Sequence, residues 1–209
     1  MTLWVKVCGL RTLDAVEAAV DAGADAVGFV FHAGSPRSLE PDAARVLAAN
    51  VPHGVARVVV FRHPSQSMLD AAIAAVKPDF IQTDAQDFDT LTVPAQCARL
   101  PVYRSGGTTR ATMRGRLLYE GAQSGAGERA DWIEAARLAS AADLVLAGGL
   151  DVHNVADAVR TVRPFGVDVS SGVERARGEK DPALIREFVR AARMADAALA
   201  TQASGVRLS

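Results

Sequence analysis

Eight short apolar runs, each followed by a stretch with helical spacing, limit what this chain can fold into. The runs are Leu3 to Cys8, Ala26 to Phe31, Val55 to Phe61, Asp79 to Gln82, Pro101 to Arg104, Arg116 to Glu120, Asp143 to Ala147 and Gly166 to Ser170. Several are nearly unbroken Val, Ile, Leu or Phe, as strands covered on both faces are. Between them Thr12, Pro41 and Pro64-Ser65 open helical patterns, and Asp151 and Asp181-Pro182 do so late in the chain. Such alternation builds a parallel sheet. An open doubly wound sheet usually carries G-x-G-x-x-G after its first strand, whereas the turn here reads Cys8-Gly9-Leu10-Arg11-Thr12. The fold class predicted is therefore α/β, a parallel eight-stranded (β/α)8 TIM barrel. One barrel domain is expected over residues 1–200, with a loose tail over 201–209. The polar stretch Thr83 to Leu100, which contains Pro94, predicts a short or irregular helix in the fourth unit.

Composition narrows the function classes. Apolar residues make up 49% of the 209, enough for a sizeable core. The 23 Lys plus Arg nearly cancel the 24 Asp plus Glu, which argues against nucleic acid or an anionic membrane as partner. No run approaches the roughly 18 apolar residues of a membrane span, and the opening residues carry no leader pattern, so a cytoplasmic location is expected. Two cysteines, Cys8 and Cys97, are too few for a disulfide framework and lack zinc spacing. His32, His53, His63 and His153 show no metal-ligand spacing and read as surface or capping groups, so no metal is expected.

In such barrels the reactive groups sit where strands end. In Lys6-Val7-Cys8 the two-residue period turns Lys6 and Cys8 to one face, where a cation would favour the thiolate of a general base or nucleophile. A buried structural cysteine is the competing reading, and for Cys97 it is the preferred one. Glu120 ends its run beside a glycine-rich stretch and suits a general acid, against the alternative of a solvated carboxylate. The turns holding Gly148 and Gly149, and Ser170, Ser171 and Gly172, follow the last two runs, where barrels often build a phosphate cradle from backbone N–H groups; tight turns without a ligand also use glycine. Asp168 shares the face of Ser170, in a hydrogen-bonding or a plain structural role. Arg37, in the loop after the second run, can grip a carboxylate bidentately or lie in solvent.

Taken together, Lys6-Val-Cys-Gly9, Gly28-Phe-Val-Phe31 followed by Ser35-Pro-Arg37, Ala147-Gly-Gly-Leu150 and Asp168-Val-Ser-Ser-Gly-Val-Glu174 resemble the phosphoribosylanthranilate isomerases of tryptophan biosynthesis. The match runs in order from about residue 3 to residue 193. The resemblance implies a cofactor-free Amadori rearrangement of a phosphorylated sugar–anthranilate substrate. Cys8 would be the base and Glu120 the acid. Arg37 would bind the anthranilate carboxylate, Gln82 would also contact substrate, and Asp168 would lie near the sugar hydroxyls. Gly149, Ser171 and Gly172 would supply phosphate-binding N–H groups. Both monomer and homodimer fit such barrels. The chain departs from the family at three places. Glu120 stands where the family usually has Asp. Ser124-Gly-Ala-Gly-Glu-Arg129 stands where a Gly-Gly-Ser/Thr-Gly-Lys loop is usual, with Arg129 as a replacement cation. Gln82-Thr-Asp-Ala85 stands where Gln-Leu-His-Gly is usual. A related histidine-pathway isomerase and a barrel that binds a phosphometabolite without turning it over are the alternatives.

Overall fold

The computed structural model describes residues 2–106, 115–122 and 129–205. Its parallel strands are β1 (Trp4–Cys8), β2 (Ala26–Val30), β3 (Ala56–Val60), β4 (Phe80–Asp84), β5 (Ala98–Arg104), β6 (Arg116–Glu120), β7 (Asp143–Leu146) and β8 (Gly166–Val169). They close in chain order, with β8 paired back to β1, so the expected eight-stranded barrel is the fold. Against the sequence reading, β4 runs on to Asp84 and β5 begins at Ala98.

Helices α1 (Leu13–Asp21), α2 (Pro41–Ala48), α3 (Gln66–Val76), α4 (Trp132–Ala139), α5 (Val155–Val162) and α6 (Pro182–Gly205) cover the barrel. Their starts follow local chemistry. Thr12, Ser65 and Asp131 accept backbone N–H groups of the first turns of α1, α3 and α4, and Asp181 does the same for α6. Between β4 and β5 the chain makes only a 3-10 turn, Ala85–Asp89, as the polar, proline-containing stretch predicted. Asp151 does not cap α5 directly: its carboxylate accepts the N–H groups of His153 and Asn154, and Asn154 takes the cap position. Helix α6 reaches Gly205, so the helical chain runs past the boundary expected at residue 200. A small hairpin, β9 (Glu174–Ala176) and β10 (Glu179–Lys180), follows β8.

Strand alternation sorts the apolar residues into two cores. Trp4, Ala26, Val58, Leu100, Val102, Leu118 and Val145 fill the barrel interior, while Val5, Val7, Phe29, Ile81, Leu144 and Phe188 belong to the shell between strands and helices. At the end opposite the strand C-termini, the Arg116 guanidinium lies 4.9 Å from the Trp4 ring centroid, 5.1 Å from Phe80 and 4.3 Å from Phe165.

Helix α6 is tied to the start of the chain. Arg193 donates to the carbonyls of Leu3 and Gly23 and pairs with Asp25 at 2.8 Å, and Asp196 accepts the N–H of Leu3 at 2.9 Å. The last helix is thus tied to the first strand and to the turn that follows α1.

Candidate active site

At the C-terminal end of the barrel an open cavity is lined by Cys8, Arg37, Gln82, Glu120, Asp168 and Ser170, six of the residues singled out in the sequence. Parallel pairing of β1 with β8 sets Lys6 beside Asp168, and Lys6 Nζ donates to Asp168 Oδ1 at 2.9 Å. Cys8 pairs with Gly28 on β2, and a Cβ at Gly28 would come within 2.9 Å of Cys8 Sγ. Glycine there leaves the room that the thiol occupies.

The charge balance differs from the sequence expectation. Burial pushes the Cys8 thiol up, and Lys6 offsets this only in part because its charge is matched by Asp168. The balance favours the thiol over the thiolate. Burial also pushes the Asp168 carboxyl up, against the pull of Lys6. For Lys6 itself burial acts downward, but Asp168 and Cys8 outweigh it and raise its proton affinity.

On the other side of the cavity, Glu120 ends β6 with its side chain 14% exposed, so it is not a solvated loop carboxylate. Its Oε1 lies 3.2 Å from Nε of Arg104, which ends β5. Arg104 Nη2 reaches Asp84 Oδ1 at 2.6 Å. Asp84 Oδ2 faces His63 Nε2 at 3.2 Å, and His63 Nδ1 meets Asp87 Oδ1 at 2.9 Å. An Asp near an anionic substrate is unfavourable unless paired, and Asp84 is paired. The sequence reading weighed several strand ends and passed over that of β5, although a cation ending an apolar run was legible in Arg104. His63 is exposed, as a surface group should be, and it also bridges two carboxylates. Among the described residues His63, Asp84 and Asp87 bring ligand atoms within 4.8 Å of one another, as a cation site would. Both ring nitrogens and both Asp84 oxygens are already engaged in the ion-pair chain.

Arg37 is buried, not solvated. Its Nε and Nη2 donate to the two carboxylate oxygens of Glu174 at 2.6 and 3.0 Å, a bidentate fork. Glu174 also accepts from Lys180 Nζ at 2.7 Å and from the N–H of Gly178 at 3.1 Å. Burial alone would raise the Glu174 carboxyl, but Arg37 and then Lys180 hold it at about 2. The sequence offered Arg37 a ligand carboxylate; an internal one, that of Glu174, fixes the guanidinium, and Arg37 also lines the cavity.

Gln82 is buried and its Oε1 has no hydrogen-bond partner among the described residues, which is costly unless a donor arrives. Ser170 Oγ donates to the Cys8 carbonyl at 3.1 Å and receives Lys180 Nζ at 3.2 Å, so this hydroxyl braces the end of β1. Gly148 and Gly149 take left-handed φ values of 84° and 64°, and a Cβ at Gly172 would collide with the Leu150 carbonyl at 2.0 Å. An isolated bridge joins Asp151 to Gly172, holding the turns after β7 and β8 together beside Ser170. Gly148, Gly149, Ser171 and Gly172 lie beyond the lining of the cavity. Arg62 and Arg177 line it and were not foreseen, being loop cations without a pattern. Cys97 is buried and donates to the Pro78 carbonyl, a structural role. The Arg129 guanidinium stacks on Trp132 at 3.6 Å and is absent from the cavity lining, while residues 124–128 of the expected loop lie outside the described residues.

A family model described as N-(5'-phosphoribosyl)anthranilate (PRA) isomerase matches residues 5–191. The chain is 40% identical to the N-(5'-phosphoribosyl)anthranilate isomerase of Thiobacillus denitrificans, over 90% of this chain and 97% of that one. It is 36% identical to the enzyme of that name from Rhodopseudomonas palustris, over 93% and 100%. Among solved structures, a phosphoribosyl anthranilate isomerase in complex with reduced 1-(o-carboxyphenylamino)-1-deoxyribulose 5-phosphate superposes with a TM-score of 0.77 at 28% identity, covering 92% of this chain and 99% of that one. The Thermus thermophilus enzyme gives 0.78 at 27% identity, covering 90% and 98%.

Proposed function

The chain belongs to the N-(5'-phosphoribosyl)anthranilate isomerase family, and from that premise we propose that it carries out the Amadori rearrangement with Cys8 as general base and Glu120 as general acid. The observation that carries this reading is that both side chains line one cavity, on β1 and β6.

The chemistry runs as follows. Glu120 protonates the ring oxygen of N-(5'-phosphoribosyl)anthranilate, the C1–O bond breaks, and the nitrogen lone pair completes an iminium. Cys8 then removes the C2 proton, and the C–H electron pair moves into a C1–C2 double bond as the iminium π electrons return to nitrogen. The enol so formed loses its O–H proton and C1 gains one, giving 1-(2-carboxyphenylamino)-1-deoxyribulose 5-phosphate with no net change in composition. The iminium charge acidifies the C2–H bond, and the competent form of the enzyme is the one in which Cys8 has already released its proton to solvent, the form that burial disfavours.

The remaining roles follow from chemistry and proximity. Arg37, oriented by Glu174, meets the anthranilate carboxylate through its remaining donors. The orphan acceptor of Gln82 takes a substrate donor. Asp168, neutralised by Lys6, accepts from a sugar hydroxyl. The turns with Gly148, Gly149, Ser170, Ser171 and Gly172, joined by the bridge from Asp151 to Gly172, bind the phosphate through backbone N–H groups. The reading extends to a cytoplasmic biosynthetic enzyme acting as monomer or homodimer; no helix among the described residues is long and apolar enough to cross a membrane.

The test is to generate the phosphoribosyl amine of anthranilate in situ and follow the loss of its fluorescence. Wild type should consume it. Cys8→Ser and Glu120→Gln, each checked for fold by circular dichroism, should be slower by on the order of a hundredfold or more. Full activity in either folded variant would remove that residue from its role.

A further inference from the structure

The mechanism above uses Glu120 but not the side chain that touches it. Arg104 stands between two carboxylates on adjacent strands, with Nε 3.2 Å from Glu120 and Nη2 2.6 Å from Asp84. Register explains the placement: Arg104 is paired with Glu120 across β5 and β6, and Asp84 is paired with Val102, two residues earlier on the same face as Arg104. We propose that Arg104 is a positioning residue for Glu120, tethering its carboxyl at the cavity wall and, by sharing one cation between Glu120 and Asp84, setting how tightly that carboxyl holds its proton. This inference rests on the reading of Glu120 as the acid.

Three features support it. Glu has one more rotatable bond than Asp, so an untethered Glu120 spreads its carboxyl over several rotamers, and a displacement of about 1 Å can cost on the order of a hundredfold in rate. A planar guanidinium has diverging donors that can hold two carboxylates at once, which a single ammonium point charge does with less directionality. The far side of the tether is itself fixed, since the second oxygen of Asp84 faces His63 at 3.2 Å and His63 is held by Asp87 at 2.9 Å. An arginine facing Glu120 alone would favour the carboxylate and oppose proton donation. Asp84 draws part of that charge away.

Among the described residues, further charged groups stand around the acid on several elements. Asp168 on β8 is neutralised by Lys6, and Cys8 on β1 favours the thiol. Arg37 is committed to Glu174, while His32, Arg62 and Arg177 face the cavity from loops. The end of β7, at Ala147, carries no charge. Arg104 joins Glu120 to Asp84 through one side chain.

The experiment is the pH dependence of kcat/KM for wild type, Arg104→Met, Arg104→Lys, Asp84→Asn and Glu120→Gln. The active form needs a deprotonated thiol and a protonated carboxyl, so the low-pH limb follows the carboxyl, the group of lower proton affinity. Arg104→Met should move that limb up by about one unit and Asp84→Asn should move it down. Arg104→Met should also lower kcat on the order of tenfold with little change in KM, and Arg104→Lys should return the limb toward wild type without restoring kcat in full. Unmoved limbs, or shifts of the same sign in Arg104→Met and Asp84→Asn, would overturn the proposal. If Glu120→Gln is inactive while the limbs stay fixed, only this inference fails; if Glu120→Gln is fully active, the acid assignment fails with it. Should Arg104→Met lose its fold, Asp84→Asn and Arg104→Lys decide by the same limb.

Discussion

Lys6 Nζ and Asp168 Oδ1 meet at 2.9 Å across the pairing of β1 with β8, both buried, and this ion pair stands directly under the thiol of Cys8 in chain order. Removing one partner leaves an uncompensated charge in the barrel interior. Lys6→Met should lose about 3–5 kcal/mol in urea unfolding, and Lys6→Met combined with Asp168→Asn should recover part of that loss. Strict additivity of the two single changes would show that the pair is not coupled.

Glu174 ties acid stability to the anchor of Arg37. Its folded carboxyl titrates at about 2, below the value of about 4.3 expected in an unfolded chain. A depressed carboxyl contributes stability above its unfolded pKa and loses it as pH falls through the folded one. The contribution, on the order of 3 kcal/mol, should therefore be whole above about pH 5 and fade toward pH 2. Unfolding free energies measured from pH 7 to pH 2.5 should show this slope in wild type and a shallower one in Glu174→Gln.

Gly28→Ala tests the space kept for the thiol. The added Cβ would meet Cys8 Sγ at 2.9 Å and the Cys8 Cα and Lys6 Cε at 3.2 Å. The thiol must move, so kcat should fall on the order of a hundredfold while overpacking costs about 1–3 kcal/mol. A variant with wild-type kcat would show that the position of the thiol is not set by β2.

Arg116 separates packing from charge at the far end of the barrel. Its Nε is buried without a partner among the described residues, and burial lowers its proton affinity. Arg116→Met keeps most of the volume among Trp4, Phe80 and Phe165, and should hold stability within about 1 kcal/mol of wild type. Arg116→Ala empties the same site and should lose about 2–4 kcal/mol. Neither should change kcat/KM, because the ring cage is remote from the strand C-termini.

The barrel was legible in the sequence because burial on both faces leaves unbroken apolar runs, and a run such as Val58-Val59-Val60 has few other uses. Cys8, Glu120 and Asp168 were legible as polar residues ending such runs. The committed partners were not. Glu174 was read as the close of a motif, but that it would clasp Arg37 depends on a short hairpin, Glu174 to Lys180, with no hydrophobic period. The charge balance around the thiol was not legible either, because a neighbouring Lys is visible in Lys6-Val7-Cys8 while the distant Asp168 that matches its charge is visible only in the register of β8 on β1. Asp84 looked like a repulsive intrusion for the same reason: Arg104, its counter-charge, comes from the next strand.

The latch between Arg193, Asp196 and the first strand bears on when the protein becomes competent during its synthesis. Lys6 and Cys8 lie on one side of the β1–β8 seam and Asp168 on the other, and Arg193 and Asp196 of the last helix hold the β1 side. The base, its cation and its counter-carboxylate therefore come together only when the first strand meets the eighth, which requires most of the chain to have been made.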